Sequence, residues 1–167
     1  MNAFASLGVD VRETPQIERR LAQRVFLYWL LRCKDRPYAK PEDIEPEAIG
    51  RDWDWCFVID AARSCGFPYF THLGQKLAGF SGVLLSGRDW TQTLLDKATQ
   101  KFQQTLEERA PVLIEEEVTL YNRQRLLCRS ILLPLSEDGR NITHVLGAAN
   151  GKICNELVPG DCDKSDL

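Results

Sequence analysis

The sequence predicts an α+β fold: a five-stranded antiparallel sheet with helices on one face, plus an N-terminal helix. Three observations predict it. Apolar residues recur at helical spacing near the start of the chain and again in its middle. Alternating apolar runs fall in two groups, a pair before the second helical stretch and three after it. Short turn signals join the runs within each group, which makes neighbouring strands antiparallel. The 167 residues suit one domain, long enough to bury a core without disulfides or a structural metal.

Each element has its own justification. Residues 1–13 read as a loose arm. Thr14-Pro15 opens a helix, because Thr is a good N-cap and Pro is favoured at the first helical position. Ile17, Leu21, Val25 and Tyr28 form its stripe, widened by Phe26, Trp29 and Leu30, and Arg36-Pro37 ends the element, which spans residues 14–36. Tyr38–Trp53, with Pro41, Pro46 and acids between them, is an extended connection. Trp55–Ile59 is the first strand and Phe67–Leu73 the second, stopped by Gly74, with Arg63–Gly66 as the turn. Gln75–Gly87 is punctuated by glycine and holds short helical turns. Asp89, with Gln92 three residues on, caps a long helix that runs to Arg109 with Trp90, Leu94, Ala98, Phe102 and Leu106 in line. Val112–Leu120 alternates as the third strand. Leu126–Leu135 is the fourth, covered on one face and partnered on the other. Ser136–Gly139 turns the chain into Ile142–Ala149, the fifth. The core is expected over residues 37–154 and an acidic, frayed tail over 155–167.

Charge is unevenly spread. Residues 1–40 carry eight Lys/Arg against four acids, whereas residues 41–167 carry thirteen against twenty. An acidic body repels phosphate, so the split disfavours nucleic acid. It reads better as a basic appended helix docking, in a salt-sensitive way through Arg19, Arg20 and Arg24, on an oppositely charged surface. The longest apolar run, Val25–Leu31, is far short of the ~20 residues of a membrane span. Met1–Asp10 lacks a secretory pattern, so a cytoplasmic location is expected. Six cysteines are then expected as free thiols, mostly buried, with Cys154 and Cys162 the more exposed. Their spacing, even with His72, matches no zinc pattern.

Five short segments carry a family resemblance. They are Leu30-Leu31-Arg32, closing a Trp-containing helix; Asp43-Ile44-Glu45-Pro46; Tyr69–Gly74; Gly82-Val83-Leu84-Leu85-Ser86-Gly87; and Leu133-Pro134-Leu135-Ser136-Glu137-Asp138-Gly139. In this order, over roughly residues 20–150, they resemble the PAS domain, and most nearly the single-domain PAS-like family common in alphaproteobacteria. Ile49-Gly50 departs from the short Leu-Pro pair usual before the first strand. The resemblance implies a sensory or regulatory domain that either binds a small molecule between its long helix and sheet or pairs with another protein. It names no ligand.

The residues can be set against that expectation. Phe70 and His72, two apart on a strand, share a face that could line such a cavity, as could His144 beside Ile142, Leu146 and Ala148. Trp90, Leu94 and Phe102 supply an apolar wall, equally readable as core packing, and Ser130 a polar contact. The helix Asp89–Arg109 has neither His nor Cys, which argues against haem held there, and Trp90 stands where a photoreactive cysteine would be needed for a flavin adduct. No cofactor and no metal site are expected. Glu115 and Glu117 share one face of their strand and read as solvated; Glu116 faces the other way between Ile114 and Val118 and is expected to pair with Arg123, Arg125 or Arg129. There is no G-x-S-x-G, no G-x-G-x-x-G and no phosphate loop, so catalysis is not expected. The leading expectation is a regulatory module acting through protein contact, with a regulatory protein or a second copy as partner. Leu21, Val25, Tyr28 and Trp29 are its candidate interface residues. A sensor of a small apolar ligand is the alternative.

Overall fold

The computed structural model describes residues 20–81, 94–119 and 125–154. Helix α1 spans Leu21–Cys33, followed by a 3-10 turn at Pro41–Asp43, the short helix α2 at Pro46–Ile49 and a 3-10 segment at Gly50–Trp55. Strands β1 (Cys56–Asp60) and β2 (Tyr69–Leu73) form the first hairpin, and α3 (Gln75–Ser81), α4 (Leu94–Thr99) and α5 (Phe102–Glu108) follow. Strands β3 (Val112–Thr119), β4 (Arg125–Leu135) and β5 (His144–Cys154) complete a five-stranded antiparallel sheet of order β2-β1-β5-β4-β3. The last strand therefore lies at the centre and closes the sheet by pairing with β1.

Two apolar clusters sandwich this sheet. On one face Phe57, Ile59, Leu126, Leu132 and Val145 pack with Leu77, Leu94, Ala98 and Phe102 from α3, α4 and α5. On the other, Ile131, Leu133, Leu135, Leu146 and Ala148 pack with Leu21, Ala22, Val25, Phe26, Trp29 and Cys33 of α1. Burying each such large side chain is worth on the order of 1.5–3 kcal/mol. The helices between β2 and β3 lie on one face, as expected, and the N-terminal helix α1 covers the other, so β4, expected to be covered on one face, is buried on both. Arg24 grips Asp52 with two hydrogen bonds of 2.7 and 2.9 Å, Arg32 reaches Glu45 and Arg36 reaches Asp43. The basic helix docks on the acidic connection of its own chain.

Several boundaries move for identifiable reasons. The helix expected over Asp89–Arg109 is two helices in its described part. The Thr99 hydroxyl turns back to the Leu95 carbonyl at 2.9 Å, and the Gln100 N–H bonds the Lys97 carbonyl, tightening the last turn. The caps expected at Thr14 and Asp89 lie outside the described residues. β2 starts at Tyr69 and leaves Phe67 exposed. β5 runs on to Cys154 rather than stopping at Ala149, because β4 supplies partners as far as Arg125.

The motif Leu133-Pro134-Leu135 is explained by its place. β3 pairs with β4 only as far as Leu132, so the missing N–H of Pro134 takes nothing from that ladder. The Pro134 carbonyl accepts instead from the indole N–H of Trp29 at 2.9 Å. After it, the Asp138 carboxylate accepts from the N–H groups of Asn141 and Arg140, which hold it well below the usual carboxylate range. Gly139, at φ +73°, completes that turn.

Gly147 is the tightest point of the sheet. A Cβ built there would lie 2.0 Å from Cζ of Phe57, its register partner on β1. Gly147→Ala should destabilise the protein by roughly 1–3 kcal/mol in urea denaturation, the range for overpacking. Leu at position 57 in the same chain should recover part of that loss. An unchanged midpoint for Gly147→Ala would show that the ring has room to move.

Candidate functional site

The candidate site is the space between α4 and the α4-side face of β3, β4 and β5. Leu94, Ala98, Ile114 and Ala149 form its apolar lining, Cys128 and Ser130 stand on β4, and Lys97 and Glu116 bound it. Among the described residues this space is a cavity of about 10 Å³, room for about one water.

Its polar groups are engaged. The Ser130 hydroxyl donates to the Ala98 carbonyl at 3.3 Å, pinning α4 to β4 one residue before Thr99 turns the helix. Lys97 donates to Oε2 of Glu116 at 2.8 Å and the Gln100 amide donates to Oε1 at 2.7 Å. Both carboxylate oxygens of Glu116 are thereby held by the end of α4. The Lys97 hydrogen bond is the largest influence on this carboxyl and holds it below the usual range, with Gln100 adding to the effect against partial desolvation. Burial pushes the Cys128 thiol up to about 12, so it is an inert lining group at neutral pH.

Among the described residues Glu116 is not paired from the next strand as expected; Arg123 lies outside them. Its register partner is Cys128, while Arg129 pairs with Glu115 and Arg125 with Glu117 on the opposite face. An arginine facing one side of a sheet cannot serve a carboxylate facing the other. Glu115 and Glu117, expected to be merely solvated, each hold an arginine.

The residues proposed from sequence are dispersed. Leu94 and Ser130 meet in the cavity, and Phe102 packs in the same cluster. Phe70 meets the ring of Phe57 edge-on, centroids 5.8 Å apart, on the same face of the sheet. His72 does not join it. Pairing runs Val58 to His72 and then Ile59 to Phe70, so Thr71 is an extra residue, a bulge that reverses the alternation. His72 therefore lies on the α1 side, stacked 4.0 Å from Trp53 with its Nε2 3.4 Å from the Trp53 carbonyl. His144 faces that side too, in register with Asp60 and Leu135 and bonded through Nδ1 to the Thr143 hydroxyl at 3.1 Å. Neither histidine is in the cavity. Trp90 lies outside the described residues. Lys97 and Gln100 were missed: on a helix they read as solvated, and only the pairing with Glu116 across 16 to 19 positions gives them a role.

Of the interface residues proposed from sequence, three pack on the chain's own sheet. Leu21, Val25 and Trp29 are at most 3% exposed against their own sheet. An interface through them would require α1 to leave that sheet. The Tyr28 hydroxyl donates to the Asp43 carbonyl and accepts from the Glu45 N–H, tying α1 to the connection. The apolar residues that α1 does expose are Leu27 and Leu31, at 41% and 77%. Cys33, Cys56 and Cys128 are buried free thiols, but Cys65 is exposed at the hairpin tip; Cys162 and the side chain of Cys154 lie outside what the structure describes. Among the described residues no group of three or more His, Cys, Asp or Glu could hold a metal ion, and no helix is long and apolar enough to cross a membrane.

The sequence profile of the PAS domain family matches residues 17–150. No curated protein matches the chain. Among solved structures it is similar to the light-state structure of the blue-light photoreceptor Aureochrome1 LOV, with 11% identity and a TM-score of 0.41 over 59% of this chain and 87% of that one. It is similar also to a fungal LOV domain photoreceptor, with 15% identity and a TM-score of 0.42 over 74% and 88% of the two chains. A third similarity is to the Rhodobacter sphaeroides LOV protein, with 12% identity and a TM-score of 0.37 over 65% and 62%.

The Glu116 clasp gives a signed pH dependence. A carboxyl lowered in the folded state stabilises above its unfolded pKa of ~4.3, and that contribution is lost as pH falls through the lower folded value. The pair is partly exposed, so its worth is about 0.5–1 kcal/mol. Glu116→Gln should be less stable than the parent by that amount at pH 7, and the gap should close as the pH falls to about 3. Urea titrations at both pH values measure it; a gap that persists undiminished at low pH would show that the carboxylate charge is not its source.

Proposed function

The chain belongs to the PAS domain family, and from that premise we propose that it is a sensory or regulatory module in signal transduction that acts through protein contact. The observation that carries the reading is that Leu27 and Leu31, one helical turn apart, stand in water on the outer face of α1. Exposed apolar surface on an otherwise well-packed face marks an interaction site. A regulatory protein is the partner this reading assigns, with a second copy of the chain as the other occupant to be tested. The segments Gly82–Gly87 and Leu133–Gly139 support the finer placement near the single-domain PAS-like proteins of alphaproteobacteria. A cytoplasmic setting and the absence of catalysis belong to the same reading.

One observation favours a second reading, a sensor of a small apolar molecule. Ser130, Cys128, Lys97 and Glu116 converge on a spot where Leu94, Ala98, Ile114 and Ala149 leave a void. A few polar groups on an apolar lining is the make-up of small-molecule sites. Such a ligand would have to part α4 from β3.

Two experiments separate these readings. Leu27→Asp with Leu31→Asp should leave stability within about 0.5 kcal/mol, since both side chains are exposed. It should abolish co-purification of the protein partner that the parent chain retains. A partner retained by the double variant rejects the contact, and loss of a dimer in sedimentation identifies the partner as a second copy. Thermal shifts with fatty acids, flavins and aromatic metabolites test the second reading. A ligand at a hundred times its Kd should add about 2.7 kcal/mol of stability, and a flat response to all three classes rejects it.

A further inference from the structure

Helix α1 ends in a sharp turn. The Arg36 N–H donates to the Cys33 carbonyl at 2.9 Å, which closes a turn with Lys34 at its first central position. Lys34 has φ +54° and ψ −122°. Those are the angles of a type II′ turn, in which a Cβ is crowded and glycine is the usual occupant. Helix α2 ends in nearly the same conformation, at φ +66° and ψ −137°, and its residue there is Gly50. Arg109, the other non-glycine at positive φ among the described residues, has φ +53° and ψ +36°, in the left-handed region that L residues do visit. Among the described residues, Lys34 is therefore the position where a side chain occupies a glycine conformation.

Such strain persists only where the surroundings over-determine it. Here both sides of the turn are fixed. Before it, Cys33 is buried and the Trp29 indole is bound to the Pro134 carbonyl. After it, Ala39 is fully buried, bridges Leu135 and accepts from the Ser136 N–H at 3.0 Å. Pro134 and Leu135 are neighbours on β4, so the chain must leave that strand end and return to it between Cys33 and Ala39. Arg36 latches the reversal. Its Nη2 donates to the Arg32 carbonyl at 3.0 Å and to the Asp43 carboxylate. The same carboxylate accepts from the Lys40 N–H at 2.9 Å. The strain at Lys34 thus pulls on the last turn of α1, and Arg36 holds it. That turn carries Leu31, exposed, and Leu30, partly buried against the core.

We propose that Lys34 is a strained hinge and Arg36 its latch: together they let residues 30–33 open ahead of the rest of α1, and so regulate how much apolar surface the helix offers a partner. Opening relaxes Lys34 and brings Leu30 out beside Leu31. A partner that takes both leucines binds the open turn better than the closed one, which is the condition for shifting the equilibrium between them. The regulatory role rests on the reading of α1 as the contact surface. The hinge itself needs no partner, so the two can fail separately.

Amide hydrogen exchange of the full chain, read residue by residue by NMR, tests the hinge. In the parent, the amides of residues 30–33 should exchange faster than those of residues 25–29. Lys34→Gly removes the Cβ and should slow residues 30–33 at least about threefold, with a smaller change in residues 25–29. Lys34→Ala keeps the Cβ and should stay within about twofold of the parent, which separates strain from the charge of the lysine. Arg36→Gln should speed residues 30–33 at least about threefold, and adding Lys34→Gly should bring them back towards the parent rate. Equal rates for the Gly and Ala variants overturn the proposal. So does a slowing that is uniform over every protected amide, because it places the effect on global unfolding. Residues 30–33 exchanging no faster than residues 25–29 in the parent overturns it without any variant.

Discussion

Both faces of the β4 and β5 pair are apolar, and neither can be left to water. Leu126, Leu132, Val145 and Ala149 face one way; Ile131, Leu133, Leu135, Leu146 and Ala148 face the other. A sheet with two such faces needs two covers. The segment between β2 and β3 provides one in α3, α4 and α5. The chain before β1 provides the other in α1, whose buried positions Leu21, Ala22, Val25, Phe26, Trp29 and Cys33 fall on one stripe. The helix is therefore part of the core rather than an appendage, and the indole bond to Pro134 fixes where along β4 it sits.

Charge follows the same geometry. The basic front and acidic body are two sides of one contact: Arg24, Arg32 and Arg36 meet Asp52, Glu45 and Asp43 along the connection between α1 and β1. These pairs are partly exposed and individually weak. Their effect is to orient a helix that the apolar stripe already holds. The triple Glu115-Glu116-Glu117 is divided by strand alternation in the same way. The outer two answer arginines on β4, and the middle one answers Lys97 and Gln100 on α4.

A single inserted residue sets the chemistry of each face. Because Thr71 has no partner in the pairing of β1 with β2, Phe70 joins the α4 side and His72 the α1 side. With His144 also on the α1 side, the cavity keeps no imidazole, and its polar character rests on Ser130, Cys128 and the Lys97–Glu116 pair. Helix α4 is bound to the sheet at both sides of its break, through Ser130 to Ala98 and through Glu116 to Lys97 and Gln100. Any molecule entering there must compete with those bonds.

The sequence by itself determined the element order, the antiparallel sheet of five strands and the stripes of α1, Leu94, Ala98 and Phe102. These depend on local periodicity and turn chemistry, which neighbouring residues carry. The five short segments likewise pointed to the family that the profile match shows. Only the tertiary structure decided which face each residue serves. The bulge at Thr71 is invisible in a run of five alternating residues, because it is set by the register of the partner strand. The partners of Glu116 and the anchoring of α4 at Ser130 depend on groups brought together across 16 to 32 positions. Whether α1 would meet its own sheet or another chain also lay beyond its periodicity, which specifies an apolar face but not what covers it. That was settled by the second apolar face of β4 and β5, which exists only once the strands have paired.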